Sequence, residues 1–308
     1  MIITKDTSSL HKIRSCLPSS VSGALSRLDK ATLDRISEIR LRTNGITSIT
    51  LDGNNHILSL NGLTRDCSLA IKCTKCDIED FIYKFCQGSV YTHENTITQN
   101  FIVRDGIRVG LGCTSAINSQ MPMEISSINI RLARHIPGCS ESLMKHIGEK
   151  GFEDGKGILI ISKPGIGKTT LLRDLAVNLS SENKYGLKRV CVIDERDEIH
   201  MENVFENCCV DFLSGMSKTK GIETACRLLS PEIIICDEIS GSEEAQKIIL
   251  QKNSGVIFIA SYHADSTESA LKKEYIKRMF DDGVFSHLFL LTRNSKKVEG
   301  FLHRYENA

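Results

Sequence analysis

Ser162-Lys163-Pro164-Gly165-Ile166-Gly167-Lys168-Thr169-Thr170 is the stretch on which the rest of this chain can be hung. An apolar run, Gly157-Ile158-Leu159-Ile160-Ile161, precedes it, and Leu171-Leu172-Arg173-Asp174-Leu175-Ala176 follows with helical spacing. Strand, glycine-rich turn, lysine, hydroxyl and helix in that order describe a phosphate-binding loop. Gly165 and Gly167 let the backbone curl so that successive N–H groups face phosphate oxygens. The start of the next helix adds unpaired N–H groups and the positive end of its dipole. Lys168 reaches the outer phosphates as a point charge, and the Thr169 hydroxyl suits Mg²⁺. One position departs from the usual G-x-x-x-x-G-K-[ST]: Ser162 stands where the first glycine belongs. If that position needs positive φ, a serine costs about 1 kcal/mol or more there.

The 308 residues suffice for one large domain or for two. A hydrophobic content of 41% beside 25% charged residues is that of a globular protein. The net charge of +1 gives no pull toward a polyanion, and Lys272-Lys273 and Lys296-Lys297 read as solvated surface. No apolar stretch approaches the roughly 20 residues that span a bilayer. Met1-Ile2-Ile3-Thr4-Lys5-Asp6 lacks the basic-then-apolar order of a signal peptide, so a cytoplasmic location is the default expectation. Several of the 12 cysteines sit in strand-like runs (Cys191, Cys236) or helix-like ones (Cys86, Cys226), where a thiol acts as a small hydrophobe. Cys73-Thr74-Lys75-Cys76 has metal-ligand spacing with Cys67 nearby, but nothing completes a zinc site. Reduced structural thiols are the better reading.

Upstream of the loop, residues from about Ser8 to Leu33 predict two short helices broken at Pro18. Ile36 to Arg42 alternates as a strand, and Ile46 to Leu51 and His56 to Leu60 extend it into a meander through Asn44-Gly45 and Asp52-Gly53. Asp77 to Gln87 reads as a helix with Ile78, Phe81, Ile82 and Phe85 on one face. Thr96 to Val103 and Ile107 to Cys113 read as a hairpin, and Ser126 to Arg134 as another alternating strand. An N-terminal α+β domain over 1–137, ending at Pro137-Gly138, is the expectation. From Gly157 onward the apolar runs stop alternating: Ile158 to Ile161, Val190 to Ile193, Ile233 to Cys236, Val256 to Ala260. Helix-like segments at 169–180, 222–229 and 241–253 separate them. Fully apolar strands between helices predict a mostly parallel sheet covered on both faces, an α/β P-loop domain of RecA-like type over 138–308.

The run Ile233 to Cys236 ends in Asp237-Glu238. A carboxylate at a strand tip beside a phosphate loop can hold Mg²⁺, which fits Asp237, while Glu238 is placed to polarise an attacking water. Two further clusters end apolar runs: Asp194-Glu195-Arg196-Asp197-Glu198, and Ser261-Tyr262-His263. Either can sense the outer phosphate or link it to a neighbouring subunit.

The order SKPGIGKTTLLRD, VIDERDEI, RLLSPEIIICDEISGSEEA and ASYHADS resembles the secretion-type ATPases of type II and type IV systems, most closely their sporulation branch, the stage III AA family. SEIRLRTNG, VRDGIRVGLG and ISSINIRLAR resemble that family's N-terminal domain, so the likeness covers nearly the whole chain. It implies an ATP- and Mg²⁺-dependent cytoplasmic hexamer in the mother cell of an endospore former, attached to membrane subunits of a secretion-like complex. Carried over, Ser162 to Thr170 bind the nucleotide, with Lys168 and Thr169 on phosphate and Mg²⁺. Asp237 positions the metal, Glu238 is the catalytic acid position, and Glu195 and His263 support it. Ser162 and Tyr262 depart from the family pattern, and the tetracysteine motif of some type II relatives is missing. Arg40, Arg42, Arg104, Arg108, Arg131, Arg134 and Arg227 are candidates to meet nucleotide phosphates, each weighed against an ordinary polar sheet face.

Two other readings compete. One is a nucleic-acid-associated P-loop ATPase; the neutral charge, 6% aromatic content and lack of tryptophan count against it. The other is a nucleotide-gated structural ring with little turnover, against which Glu238 stands.

Overall fold

The structure is a computed structural model that describes residues 10–89, 97–98, 100–115, 122–150, 155–184, 186–201, 204–294 and 297–305. Residues 1–6, Ser8, Thr96 and Lys296, which enter the expectations above, lie outside the described residues. The chain divides into two compact units, Met1–Arg134 and His135–Ala308.

The first unit is built on a seven-stranded antiparallel sheet in the order β4-β3-β2-β1-β7-β6-β5. Its strands are β1 (Ile36–Arg42), β2 (Ser48–Leu51), β3 (Asn54–Ser59), β4 (Gly62–Thr64), β5 (Phe101–Arg104), β6 (Ile107–Ser115) and β7 (Pro122–Arg131). Alternation does what period two requires: Ile39 and Leu41 of β1 are fully buried, while Glu38, Arg40 and Arg42 are only half-buried. The N-terminal segment forms three short helices instead of two, α1 (Leu10–Ile13), α2 (Ser19–Leu25) and α3 (Lys30–Leu33). Pro18 fixes the start of α2, and Asp29 caps α3 through the Thr32 amide at 2.7 Å. Helix α4 (Lys75–Phe85) opens with a capping box between Thr74 and Asp77 and buries Ile78, Phe81, Ile82 and Phe85. Cys73 is buried and Cys76 is exposed on α4.

The second unit carries a seven-stranded sheet in the order β10-β9-β11-β12-β8-β13-β14. Its strands are β8 (Gly157–Ser162), β9 (Val190–Asp194), β10 (Val210–Ser214), β11 (Ile233–Glu238), β12 (Ile257–His263), β13 (Phe285–Asn294) and β14 (Lys297–Arg304). All neighbours run parallel except the β13–β14 hairpin. Strand β8 is buried at every residue, which is why its sequence does not alternate. Helices α5 (Glu141–Lys150) and α6 (Lys168–Ser180) contribute to the core on one face. Helices α7 (Lys218–Thr224), α8 (Ser242–Leu250), α9 (Thr267–Leu271) and α10 (Glu274–Asp281) contribute to the core on the other. This is the α/β arrangement with a RecA-like P-loop order that the unbroken apolar runs predict. The sequence reading did not foresee β10, β13 or β14.

Candidate active site

The phosphate loop joins β8 to α6 at the carboxyl end of a parallel sheet, where open α/β sheets place their ligands. Gly165 (φ 75°) and Gly167 (φ 121°) take the positive φ values that the curl needs, and a Cβ on either would meet nothing within 4 Å. The left-handed turn starts only there. Ser162 is an extended strand residue paired with His263, and its hydroxyl donates to the Lys163 carbonyl at 2.8 Å. The strain that serine would suffer at positive φ therefore does not arise. Gly167 ends the loop as the N-cap of α6 with no side-chain cap, leaving the first-turn amides to face whatever the loop holds.

Lys168 is buried, and its ammonium lies 2.7 Å from Nδ1 and 3.1 Å from Nε2 of His263. Burial lowers its pKa to about 8, with Glu238 and Asp237 pulling it back up. The His263 ring is further fixed by its Nδ1, 3.2 Å from the Ser162 carbonyl oxygen. Its Nε2 stands 3.6 Å from Glu238 Oε2. The loop lysine, the histidine that ends β12 and the second acid of β11 thus meet in one place. Asp237 is its neighbour on β11, and burial, aided by the charges of Glu198 and Asp194, lifts its carboxyl to about 7. Asp237 is half-buried, as is Thr169 at the start of α6, and a divalent cation beside that carboxyl would favour its ionised form. Among the described residues no three His, Cys, Asp or Glu side chains could hold a metal by themselves. A cation here would share its shell with nucleotide oxygens. Glycine cradle, uncapped helix start, buried ammonium and an acid at a strand end fit a magnesium–nucleotide pair.

Glu195 belongs to a different cluster. Asp194 ends β9 fully buried and accepts the amides of Glu198 (2.9 Å), Ile199 (2.7 Å) and His200 (3.1 Å), shaping the acidic turn. Arg173 of α6, also buried, donates to the Ile199 carbonyl at 2.7 Å and to that of Glu198. Just beyond, the Glu195 carboxylate lies 2.9 Å from the ammonium of Lys218, which also reaches Glu244 at 3.3 Å. Nearly two turns into α6, Asp174 accepts from the Ser140 amide (2.8 Å), the Ser140 hydroxyl (2.7 Å) and the Gly138 amide (3.2 Å), with His135 Nε2 at 3.1 Å. Sequence reading missed Arg173, Asp174, Lys218 and Glu244 as functional groups. A charged pair inside the apolar run Leu171 to Ala176 was a signal for the first two; nothing local points to the others.

Tyr262 packs edge-on to Tyr275 in the core opposite α6, so its departure from the family pattern does not face the loop. Five of the N-terminal arginines are engaged within their own unit. Arg40 (2.8 Å) and Arg131 (3.4 Å) pair with Glu38, and Arg42 donates to the Ile46 carbonyl at 2.7 Å. Arg104 donates to the Phe85 carbonyl at 2.9 Å, and Arg108 covers the Phe101 ring at 4.3 Å. Burial lowers the pKa of Arg134. Arg227 pairs with Glu223 at 3.3 Å on an exposed π-helical turn, Ala225–Leu229.

The family model described as sporulation stage III, protein AA, matches residues 9–306. Stage III sporulation protein AA of Bacillus subtilis (strain 168) is 30% identical over 295 residues, covering 92% of this chain and 91% of its own length. Among solved structures, the Legionella pneumophila ATPase DotB superposes with a TM-score of 0.58 at 12% identity, over 87% of this chain and 76% of that one. The pilus retraction motor PilT, solved with ADP, gives 0.59 at 13% identity, over 91% and 82%. These two share the fold.

Proposed function

The chain belongs to the sporulation stage III protein AA family, and from that premise we propose that it is an ATP-hydrolysing motor subunit of a sporulation secretion-like complex. The observation that carries the reading is the meeting of Lys168, His263 and Glu238 at the mouth of the glycine loop. In it, Lys168 and the first amides of α6 bind the outer phosphates. Thr169 and Asp237 hold Mg²⁺, which when bound offsets the phosphate charge. Glu238 takes a proton from the attacking water as general base. His263, between Lys168 and Glu238, orients both; Glu195 supports from the β9 turn. Several copies, six by family likeness, would form a cytoplasmic ring on the mother-cell side of the membrane and pass motion to membrane subunits. Among the described residues no helix is long and apolar enough to cross a membrane, which suits a peripheral motor. In such a ring some N-terminal arginines would approach the phosphates of a neighbouring copy.

The test is steady-state ATP hydrolysis by the purified chain beside Glu238→Gln and Lys168→Ala, with mass measured in each nucleotide state. Glu238→Gln is expected to bind ATP yet turn over about 100-fold more slowly or worse, as loss of a general base does. Lys168→Ala is expected to lose nucleotide binding, and wild type to gain mass with ATP. A wild type as inert as Glu238→Gln, and monomeric throughout, would leave the chain a nucleotide switch and overturn the motor.

A further inference from the structure

The side chain of Lys218 is 8% exposed, and its ammonium lies between the carboxylates of Glu195 and Glu244, whose side chains are 40% and 15% exposed. These three residues sit after three adjacent strands: Glu195 beyond β9, Lys218 at the start of α7 beyond β10, and Glu244 in the first turn of α8 beyond β11. Glu244 does more than balance the lysine. Its Oε2 accepts the Ser240 amide at 2.7 Å and its Oε1 the Ser240 hydroxyl at 2.9 Å. Ser240 lies two residues after Glu238, and the Ile239 amide between them donates to the Ser261 carbonyl at 2.8 Å. The backbone leaving Glu238 is therefore gripped from β12 on one side and, through Glu244, from Lys218 on the other.

Charge makes the grip one-sided. Asp194, Glu195, Glu198, Asp237, Glu238 and Glu244 crowd this end of the sheet. Burial opposes the Lys218 charge, but Glu195 and Glu244 outweigh it and hold the ammonium charged. Without the lysine, Glu244 would be a mostly buried anion facing Glu195 with nothing between them, and like charges so placed move apart. The loop that Glu244 holds would move with it.

We propose that Lys218 is a positioning residue for hydrolysis: its ammonium ties the acidic turn after β9 to the loop after Glu238, and so aims the Glu238 carboxylate. The proposal rests on the ATPase reading above.

Lys218→Met keeps the length of the side chain and removes its charge. It is expected to lower ATP turnover by about 10- to 100-fold, the cost of a misplaced catalytic group, while nucleotide affinity stays within about threefold. Lys218→Arg is expected to recover most of the rate, and Glu244→Gln combined with Lys218→Met to be no slower than Lys218→Met alone. Hydrogen exchange at the Ser240 amide, read in the full-length protein without nucleotide, is expected to quicken in Lys218→Met and not in Lys218→Arg. Turnover near the wild-type rate in Lys218→Met overturns the proposal, as does a joint loss of melting temperature, nucleotide binding and rate that Lys218→Arg fails to restore. The exchange readout separates the two levels. A wild type without turnover sinks the ATPase reading, whereas unchanged Ser240 exchange in Lys218→Met sinks the clamp whether or not the protein hydrolyses ATP.

Discussion

Lys168 is held in a state that a bound phosphate would change. In the folded protein burial takes its pKa from 10.5 to about 8, and the nearby carboxylates only partly resist. A folded group that sheds its proton before the unfolded one makes stability rise with pH between the two values, here between about 8 and 10.5. A phosphate ligand favours the charged ammonium, so nucleotide binding must recover that proton once the pH passes about 8. Nucleotide affinity is therefore expected to fall as pH rises through about 8, and to lose most of that dependence in Lys168→Arg, whose guanidinium keeps its charge. Calorimetric titration across the range decides it; a wild-type affinity indifferent to pH would mean that the loop's other donors carry the phosphate. At this scale the sequence pointed to Lys168 through the spacing of the glycine loop, and to Asp237, Glu238 and His263 because they follow unbroken apolar runs. It was silent about Lys218, whose partners lie 23 and 26 residues away and are brought close only by the parallel order of β9, β10 and β11.

Strand β8 begins at Gly157, and the glycine is needed for closeness, since its φ is ordinary. A Cβ there would sit 1.6 Å from the Phe258 carbonyl oxygen, a backbone atom of β12 that cannot swing away. Gly157→Ala is expected to push β8 and β12 apart at the end remote from the phosphate loop. The cost should be about 3 kcal/mol or more, at the upper end of overpacking penalties. Thermal unfolding measures it, and a melting temperature equal to wild type would show that the strand start can slide. Whole elements were legible where burial was uniform. Strands β8, β9, β11 and β12 read as continuous apolar runs because both faces are covered. Strand β10 did not, since it lies at the sheet edge with no residue fully buried, and Val210-Asp211-Phe212-Leu213-Ser214 mixes charge with apolar side chains. The β13–β14 hairpin closes the other edge, where β14 is likewise partly exposed. The N-terminal helices are of four to seven residues, too short for a 3.6-residue period to separate three from two.

Across the whole molecule, each unit buries its own core, and the segment from His135 to Ser140 is fastened within the second. Composition alone suggested a boundary at Pro137-Gly138, because proline and glycine usually mark linkers; what fastens the segment is a buried carboxylate on α6, which has no local sequence signature. Burial pushes the Asp174 carboxyl up, yet its hydrogen bonds from His135, Ser140 and Gly138 outweigh that and hold it below the ordinary 3.8. A carboxyl with a depressed folded pKa gives stability that is fully present above the unfolded value and lost as pH falls through the folded one. Asp174→Ala leaves the buried Ser140 hydroxyl and two backbone amides without their acceptor, an expected loss of about 3 kcal/mol. In a unit of this size that is a fall in its melting temperature of roughly 6–12 °C, with quickened exchange at Gly138 and Ser140. Asp174→Asn should weaken the acid-induced loss of stability below about pH 4, since nothing is left there to protonate. Because Asp174 lies on the helix whose first turn faces the phosphate loop, nucleotide should also slow exchange at Gly138 and Ser140 in wild type and not in Asp174→Ala. Exchange at those two amides that ignores both nucleotide and the substitution would uncouple the segment from the phosphate-loop helix.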